Sequence, residues 1–239
     1  MSGSTCAFDY ALDDACESPV ALDCAADALV AAGGTAKVFR CALGVVKRVE
    51  DVVDVPAHFK RSVRVNAKHV IDAEVALHAR VSALGIAHAP KFYGVVRLRT
   101  GSVDLRGKKV ARWTYFLFME HVPGDTLLGF LRDRRDTLAR GVADALVLSL
   151  RRACDAFARH GIALDDRENP ANVLVQAGPT YRIVFVDFQC NRWHRRPPSD
   201  MFAAPAWLIC VAVARTENAS GVLSRARCIL SEVSIFNEK

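Results

Sequence analysis

Four side chains sit where their chemistry is either costly or useful. Lys47 interrupts the apolar run Val45-Val46-Lys47-Arg48-Val49. An ammonium there either reaches solvent from an exposed edge or points into a cleft. Glu74, on the helical pattern that follows, could pair with it, and a paired ammonium is a fixed cation suited to phosphate oxygens. Asp187 closes Ile183-Val184-Phe185-Val186 and precedes Phe188. A carboxylate at the end of a buried strand needs a cation or donors, unless it only caps a turn. Asn172 precedes the partner strand and would lie near Asp187 across a hairpin. Carboxylate and amide oxygens converging there suit Mg2+, a hard ion that takes oxygen ligands and keeps waters. The loop before Asn172 contains Asp165-Asp166-Arg167-Glu168-Asn169-Pro170-Ala171. Its aspartates could orient a hydroxyl nucleophile and accept its proton, or they could be the polar residues of a solvated turn.

These residues need elements to hold them. Gly33 and Gly34 precede Val38-Phe39-Arg40-Cys41-Ala42-Leu43, and a turn at Gly44 leads to Val45–Val49. That pattern predicts a glycine turn between strands followed by a hairpin. Val70 to Leu84 carries apolar residues at helical spacing and ends at Gly85, a C-terminal cap. Strands are expected around Phe92–Leu98 and Val110–Met119, with Thr100-Gly101-Ser102 turning between them. After Pro123-Gly124 the pattern becomes helical. A short helix is expected over Thr126–Arg132 and a long one over Leu138–His160, with Val142, Leu146, Leu150, Ala153 and Phe157 on one stripe. Asn172–Val175 and Ile183–Val186 form a hairpin through Ala177-Gly178-Pro179. Ala206–Arg215 and Val222–Phe236 are predicted closing helices. Strands first and helices later, with a boundary near Pro123, give an α+β chain in two lobes.

Composition narrows the class further. The 239 residues are 51% apolar and 24% charged, which supplies a core and excludes wholesale disorder. The apolar run Ala203–Ala214 is broken by Pro205 and too short to cross a bilayer. No basic region precedes an apolar stretch near Met1, so no cleavable signal is expected. Residues 1–36 hold six acidic residues and no Lys or Arg, so with a net charge of +6 the remainder carries +12. We read 1–28 as an acidic extension or short helical segment. The basic body suits nucleic acid, an acidic membrane or a phosphorylated small molecule, but it lacks the aromatic interleaving of single-strand binders. The eight cysteines form no Cys-x-x-Cys pair and are expected as reduced thiols, with no structural metal.

Taken in order, these features resemble the protein kinase-like superfamily over about Ala31 to Phe188. Ala31-Ala32-Gly33-Gly34-Thr35-Ala36-Lys37-Val38 resembles the glycine-rich loop over the nucleotide phosphates, keeping the middle glycine at Gly33. Val45-Val46-Lys47 resembles the strand with the phosphate-binding lysine, and Glu74 its helix partner. Phe116-Leu117-Phe118-Met119-Glu120-His121-Val122-Pro123-Gly124 is similar to the hinge. The resemblance places Met119 as gatekeeper and the backbones of Glu120 and Val122 against adenine. Val186-Asp187-Phe188-Gln189 resembles the metal-binding motif, with Gln in place of Gly. It implies 29–122 as a small β-rich N-lobe with one helix and hinge, and 123–239 as a reduced helical C-lobe. It further implies ATP and Mg2+, with Gly33, Gly34, Val38 and Lys47 at the nucleotide, and Asn172 and Asp187 at the metal.

Two departures qualify the match. The family places its aspartate five residues before the asparagine, where this chain has Arg167. A one-residue insertion makes Asp166 the base, with Asp165 as the alternative. The stretch 189–239 is brief for an activation segment and helical subdomain. Such truncation resembles small kinases that pathogenic bacteria inject through type III secretion, some acting on a host chaperone and others on ubiquitin signalling. The expected function is therefore Ser/Thr-type protein phosphorylation, in the cytoplasm or after export into a host cell without a cleavable signal. A nucleotide-binding pseudokinase and an aminoglycoside-type phosphotransferase remain as alternatives. Neither membrane nor nucleic acid is an expected partner.

Overall fold

Runs of β-branched and aromatic residues, broken by turn residues, favour strands in the first half of the chain. The computed structural model describes residues 8–12, 29–32, 36–55, 66–105, 107–134, 137–162, 170–188 and Ile209. Its first seven strands are β1 (Phe8–Leu12), β2 (Leu29–Ala32), β3 (Ala36–Cys41), β4 (Gly44–Val53), β5 (Asn66–Ala67), β6 (Phe92–Leu105) and β7 (Lys108–Met119). They form one sheet in the order β1-β6-β7-β4-β3-β2, with β5 beside β4. Helix α1 (Lys68–Ala83) lies between β5 and β6 in sequence. Then follow β8 (Asp125–Thr126), α2 (Leu127–Asp133), α3 (Arg140–Ala158), β9 (Val173–Gln176) and β10 (Arg182–Phe185), the strands pairing as β10-β9-β8. The chain is α+β. It divides into two compact units, Met1–Gly85 with Lys91–His121, and Ile86–Pro90 with Val122–Lys239. Among the described residues no helix is long and apolar enough to cross a membrane.

In the first unit, α1 sets Ile71 and Val75 against Val49, Val52, Phe92, Val95, Tyr115 and Leu117. Each such side chain contributes about 1.5–3 kcal/mol when removed from water. The helix ends because Gly85 takes φ +64° and donates its N–H to the Ser82 carbonyl at 3.0 Å. Its start is tied to the sheet by β5, which pairs parallel with Val52 and Val53, and by Asn66 Nδ2 donating to the Glu50 carbonyl at 2.6 Å. The strand that carries Lys47 thereby sets where the helix that carries Glu74 begins.

Three expectations need correcting. Thr100-Gly101-Ser102 is no turn: β6 runs on to Leu105, and Gly101, at φ +125°, sits at a bulge opposite Arg112. The true turn closes at Gly107, whose N–H reaches Asp104 Oδ1 at 2.7 Å. The strand expected through Leu43 stops at Cys41, and Ala42-Leu43 make the turn ahead of Gly44. Within 1–28, expected as an acidic extension or short helical segment, Phe8–Leu12 is a strand parallel to β6. An open sheet edge offers backbone partners to a β-competent segment such as Phe8-Asp9-Tyr10-Ala11-Leu12.

In the second unit, Thr126 caps α2 by accepting the Gly129 N–H at 3.1 Å. Of the expected α3 stripe, Leu146, Leu150, Ala153 and Phe157 are buried and Val142 is half-buried. Phe157 meets Phe185 edge to face at 5.6 Å and lies 6.3 Å from Phe188. Ser149 Oγ accepts the Ile183 N–H at 2.9 Å, locking α3 to β10. The expected helices over 206–215 and 222–236 lie outside the described residues, save Ile209, which is buried. Cys41 and Cys154 are thiols; the other six cysteines lie outside the described residues.

Candidate functional site

The first unit assembles its candidate residues on one face of the sheet. In antiparallel register Val38 stands opposite Lys47, Lys47 opposite Leu117, and Val45 opposite Met119. Directly opposed residues point the same way, as do residues two apart on a strand. Val38, Lys47 and Met119 therefore share the face covered by α1, where Leu117 and Met119 join its core. Glu74 projects from α1 to this face. Its Oε1 accepts a hydrogen bond from Lys47 Nζ at 2.6 Å, with Lys47 7% and Glu74 1% exposed.

A buried pair of this kind is poor value for stability. Each ion loses hydration worth several kcal/mol, and well-packed apolar residues of similar size do as well or better. What the pair provides is a fixed ammonium on an otherwise apolar wall, the electrostatic feature an anionic ligand needs. Glycine shapes the end of the same wall. Gly44 has φ +137°, and a Cβ there would fall 2.5 Å from the Met119 carbonyl oxygen and 2.9 Å from the His121 nitrogen. Only glycine lets β4 begin so close to the end of β7. The exposed Glu120 donates its N–H to the Lys91 carbonyl at 2.8 Å, so what its backbone offers a ligand is the carbonyl. Its Oε2 accepts the Lys91 N–H at 3.1 Å, closing the reciprocal pair.

The second unit places Asn172 and Asp187 at one end of the β9–β10 hairpin. Phe185 pairs with Val173, and the Val186 N–H donates to the Asn172 carbonyl at 2.9 Å. Asn172 closes a 3-10 turn begun at Pro170. Asp187 follows with φ +80°, a left-handed conformation that aspartate tolerates better than most residues but which still costs energy. Strain of this sort persists where the surroundings impose it, commonly at functional positions. Phe188, the next residue, is buried and lies 6.3 Å from Phe157. Asparagine and aspartate supply the hard oxygen donors that Mg2+ prefers. Val122 is half-buried at the start of this unit.

Sequence reasoning missed two features. Residues 86–90, between α1 and β6 in sequence, belong to the second unit. The Phe185 N–H donates to the His88 carbonyl at 2.9 Å, and His88 Nδ1 donates to the Ile183 carbonyl at 2.8 Å. Arg182 clasps the Ala87 carbonyl as well. Burial lowers the His88 pKa; its bond to Ile183 opposes that shift, while Arg182 and Arg152 add to it. The second feature is a cluster in the first unit formed by Asp72, Arg97 and Tyr115. A tyrosine within an apolar strand, whose hydroxyl must find a partner, was the available signal for it.

Gly33, Gly34, Asp165, Asp166, Arg167 and Gln189 lie outside the described residues. No protein-family model matches the chain, and no curated protein matches its sequence.

Proposed function

We propose that this chain is a minimal, atypical protein kinase that transfers the γ-phosphoryl group of MgATP to a Ser or Thr hydroxyl of a protein. The observation that carries the reading is the buried Lys47–Glu74 pair linking a strand of the sheet to its helix. The order of parts supports it: a glycine-bearing hairpin, the lysine strand, the glutamate helix, two further strands, then the long helix and the Asn172–Asp187 hairpin. On this reading the fold is two-lobed and protein kinase-like, with a reduced C-lobe.

Lys47, oriented by Glu74, would hold α- and β-phosphate oxygens. Val38 and Met119 would flank the base, with the Glu120 carbonyl and the Val122 backbone hydrogen-bonding its edge, and Gly33 and Gly34 would cover the phosphates. Asn172 and Asp187 fit Mg2+ by donor chemistry, and the ion would supply charge neutralisation at the phosphates. The substrate hydroxyl oxygen would bond to the γ-phosphorus as the bond to the bridging oxygen of ADP breaks. Asp166 would take the hydroxyl proton. The proposed setting is that of a secreted bacterial effector acting on a host chaperone or a ubiquitin-pathway protein.

Arg167, at the family's usual aspartate position, favours one second reading, a nucleotide-binding pseudokinase, because a guanidinium cannot accept the proton. One experiment separates the two. Purified protein is incubated with γ-labelled ATP, Mg2+ and cell lysate, beside Asp187→Ala, while MgATP-induced thermal stabilisation is recorded. A labelled band that disappears in the variant supports the kinase. Stabilisation without transfer supports the pseudokinase, and the loss of both signals refutes either form of the proposal.

A further inference from the structure

Helix α1 is held on two sides, and the second hold reaches the N-terminal strand. Asp72 and Glu74 are two residues apart, roughly 200° around a helix that turns roughly 100° per residue. Glu74 meets Lys47 on one side. On the other, Tyr115 Oη donates to Asp72 Oδ1 at 2.9 Å, while Lys68 of the same helix reaches Asp72 Oδ2 at 2.5 Å and orients it. Arg97, on β6, lies over the Tyr115 ring at 5.5 Å, with its Nε 3.9 Å from Asp72 Oδ1. Two opposed contacts fix the rotation of a helix about its axis, which a single contact leaves adjustable.

The guanidinium is itself steered. Asp9 of β1 takes Arg97 in a two-point grip, Oδ1 at 2.8 Å from Nη1 and Oδ2 at 3.0 Å from Nη2. Parallel pairing of β1 with β6 sets Asp9 opposite Val95 and Ala11 opposite Arg97, so the strand's register brings the carboxylate to the guanidinium. Tyr115 is buried, and exposure is greatest at the outermost link, where the Asp9 side chain is 56% exposed against 25% for Arg97 and 32% for Asp72. The outermost link is the one most open to screening and displacement. Burial and the Asp72 hydrogen bond both raise the Tyr115 pKa, so its hydroxyl remains a donor.

We propose that Asp9 and Arg97 are positioning residues: through Asp72 and Tyr115 they set the rotation of α1 that brings Glu74 to Lys47, making β1 a detachable brace. As a claim about catalysis this rests on the proposed kinase activity; as a claim about α1 it does not.

The test uses the full-length chain with Asp9→Asn, Asp9→Glu and Tyr115→Phe, the last removing only the hydroxyl that Asp72 accepts from. Hydrogen exchange of the α1 amides should quicken about five-fold in Asp9→Asn and Tyr115→Phe, the lower end of usual site-to-site coupling. Exchange in α3 should not change, and Asp9→Glu should behave as wild type. In the transfer assay, KM for MgATP should rise by a similar factor with kcat little altered, because the phosphate grip acts on ground and transition states alike. Unchanged or slower α1 exchange in both loosening variants would overturn the brace. A wild-type protein that transfers no phosphate defeats the kinase reading alone, and the exchange data still decide the brace. Tyr115→Phe stands in should the β1 variants fail to fold.

Discussion

Lys47 and Glu74 are fixed by their side chains: opposite charges 2.6 Å apart, nearly sealed from water, on a strand and a helix of ordinary geometry. Asn172 and Asp187 are fixed by their backbones. A hairpin, the hydrogen bond from the Val186 N–H to the Asn172 carbonyl, and a residue at φ +80° bring them to one end of a small sheet. The first arrangement is fragile to any change of charge and carries no backbone strain. The second is fragile to changes of backbone preference, and its side chains stay half-buried, where a divalent ion could exchange its waters. A buried ion pair and a strained hairpin end pose different physical problems, and each unit solves its own.

Charge removal should have the largest effect. Glu74→Gln removes the carboxylate that the buried Lys47 ammonium meets on α1 and should cost about 3–5 kcal/mol in urea unfolding. The double variant Lys47→Met, Glu74→Leu should recover most of that loss while the proposed nucleotide binding is absent. A double variant as unstable as Glu74→Gln would mean that the pair is a structural element first.

Gly44→Ala comes next. The added methyl meets the Met119 carbonyl, and φ +137° is unfavourable for any L side chain. We expect about 2 kcal/mol of destabilisation, read from the urea midpoint at constant slope. Wild-type stability would show that β4 and β7 separate there easily.

For the second unit, Asp187→Gly and Asp187→Ala both delete the carboxylate, and only glycine accepts the left-handed backbone freely. Asp187→Gly should be the more stable of the two by about 1 kcal/mol, with the proposed phosphate transfer absent in both. Equal stability would show that the turn relaxes out of the positive φ once the carboxylate is gone.

Much of this architecture was legible because local rules and packing agreed. The 3.6-residue stripe along α1 and its glycine stop, the α3 stripe ending in Phe157, and the hairpin joining Asn172 to Asp187 each depend on short-range pattern. Thr100-Gly101-Ser102 misled because the same residues suit a turn and a bulge, and the choice between them is made by pairing across to β7. β1 was invisible for a related reason. Five residues in an acidic stretch become a strand because β6 offers an edge and Arg97 offers a charge, both more than eighty positions away. The Lys47–Glu74 pair could be guessed from residue type, whereas for Tyr115 the sequence signalled only that its hydroxyl needs a partner, not that Asp72 would be the one.

The smallest effect should come from His88, which belongs to the second unit although neighbouring residues on either side belong to the first. Burial lowers its pKa from the ordinary 6.5, and Arg182 and Arg152 push the same way, so the folded protein resists protonating it. Below about pH 6.5 the unfolded chain binds a proton that the folded chain refuses, so the unfolded state gains on acidification. The contribution is therefore present above the unfolded pKa and lost as pH falls through the folded one. At a half-buried site, screened by solvent, the contribution is small. His88→Asn keeps a donor for the Ile183 carbonyl and removes the titration. Its stability deficit relative to wild type should therefore shrink between pH 8 and pH 5. A deficit that grew on acidification would mean that the protonated ring is welcomed at Ile183, and that the two arginines stand too far off to oppose it.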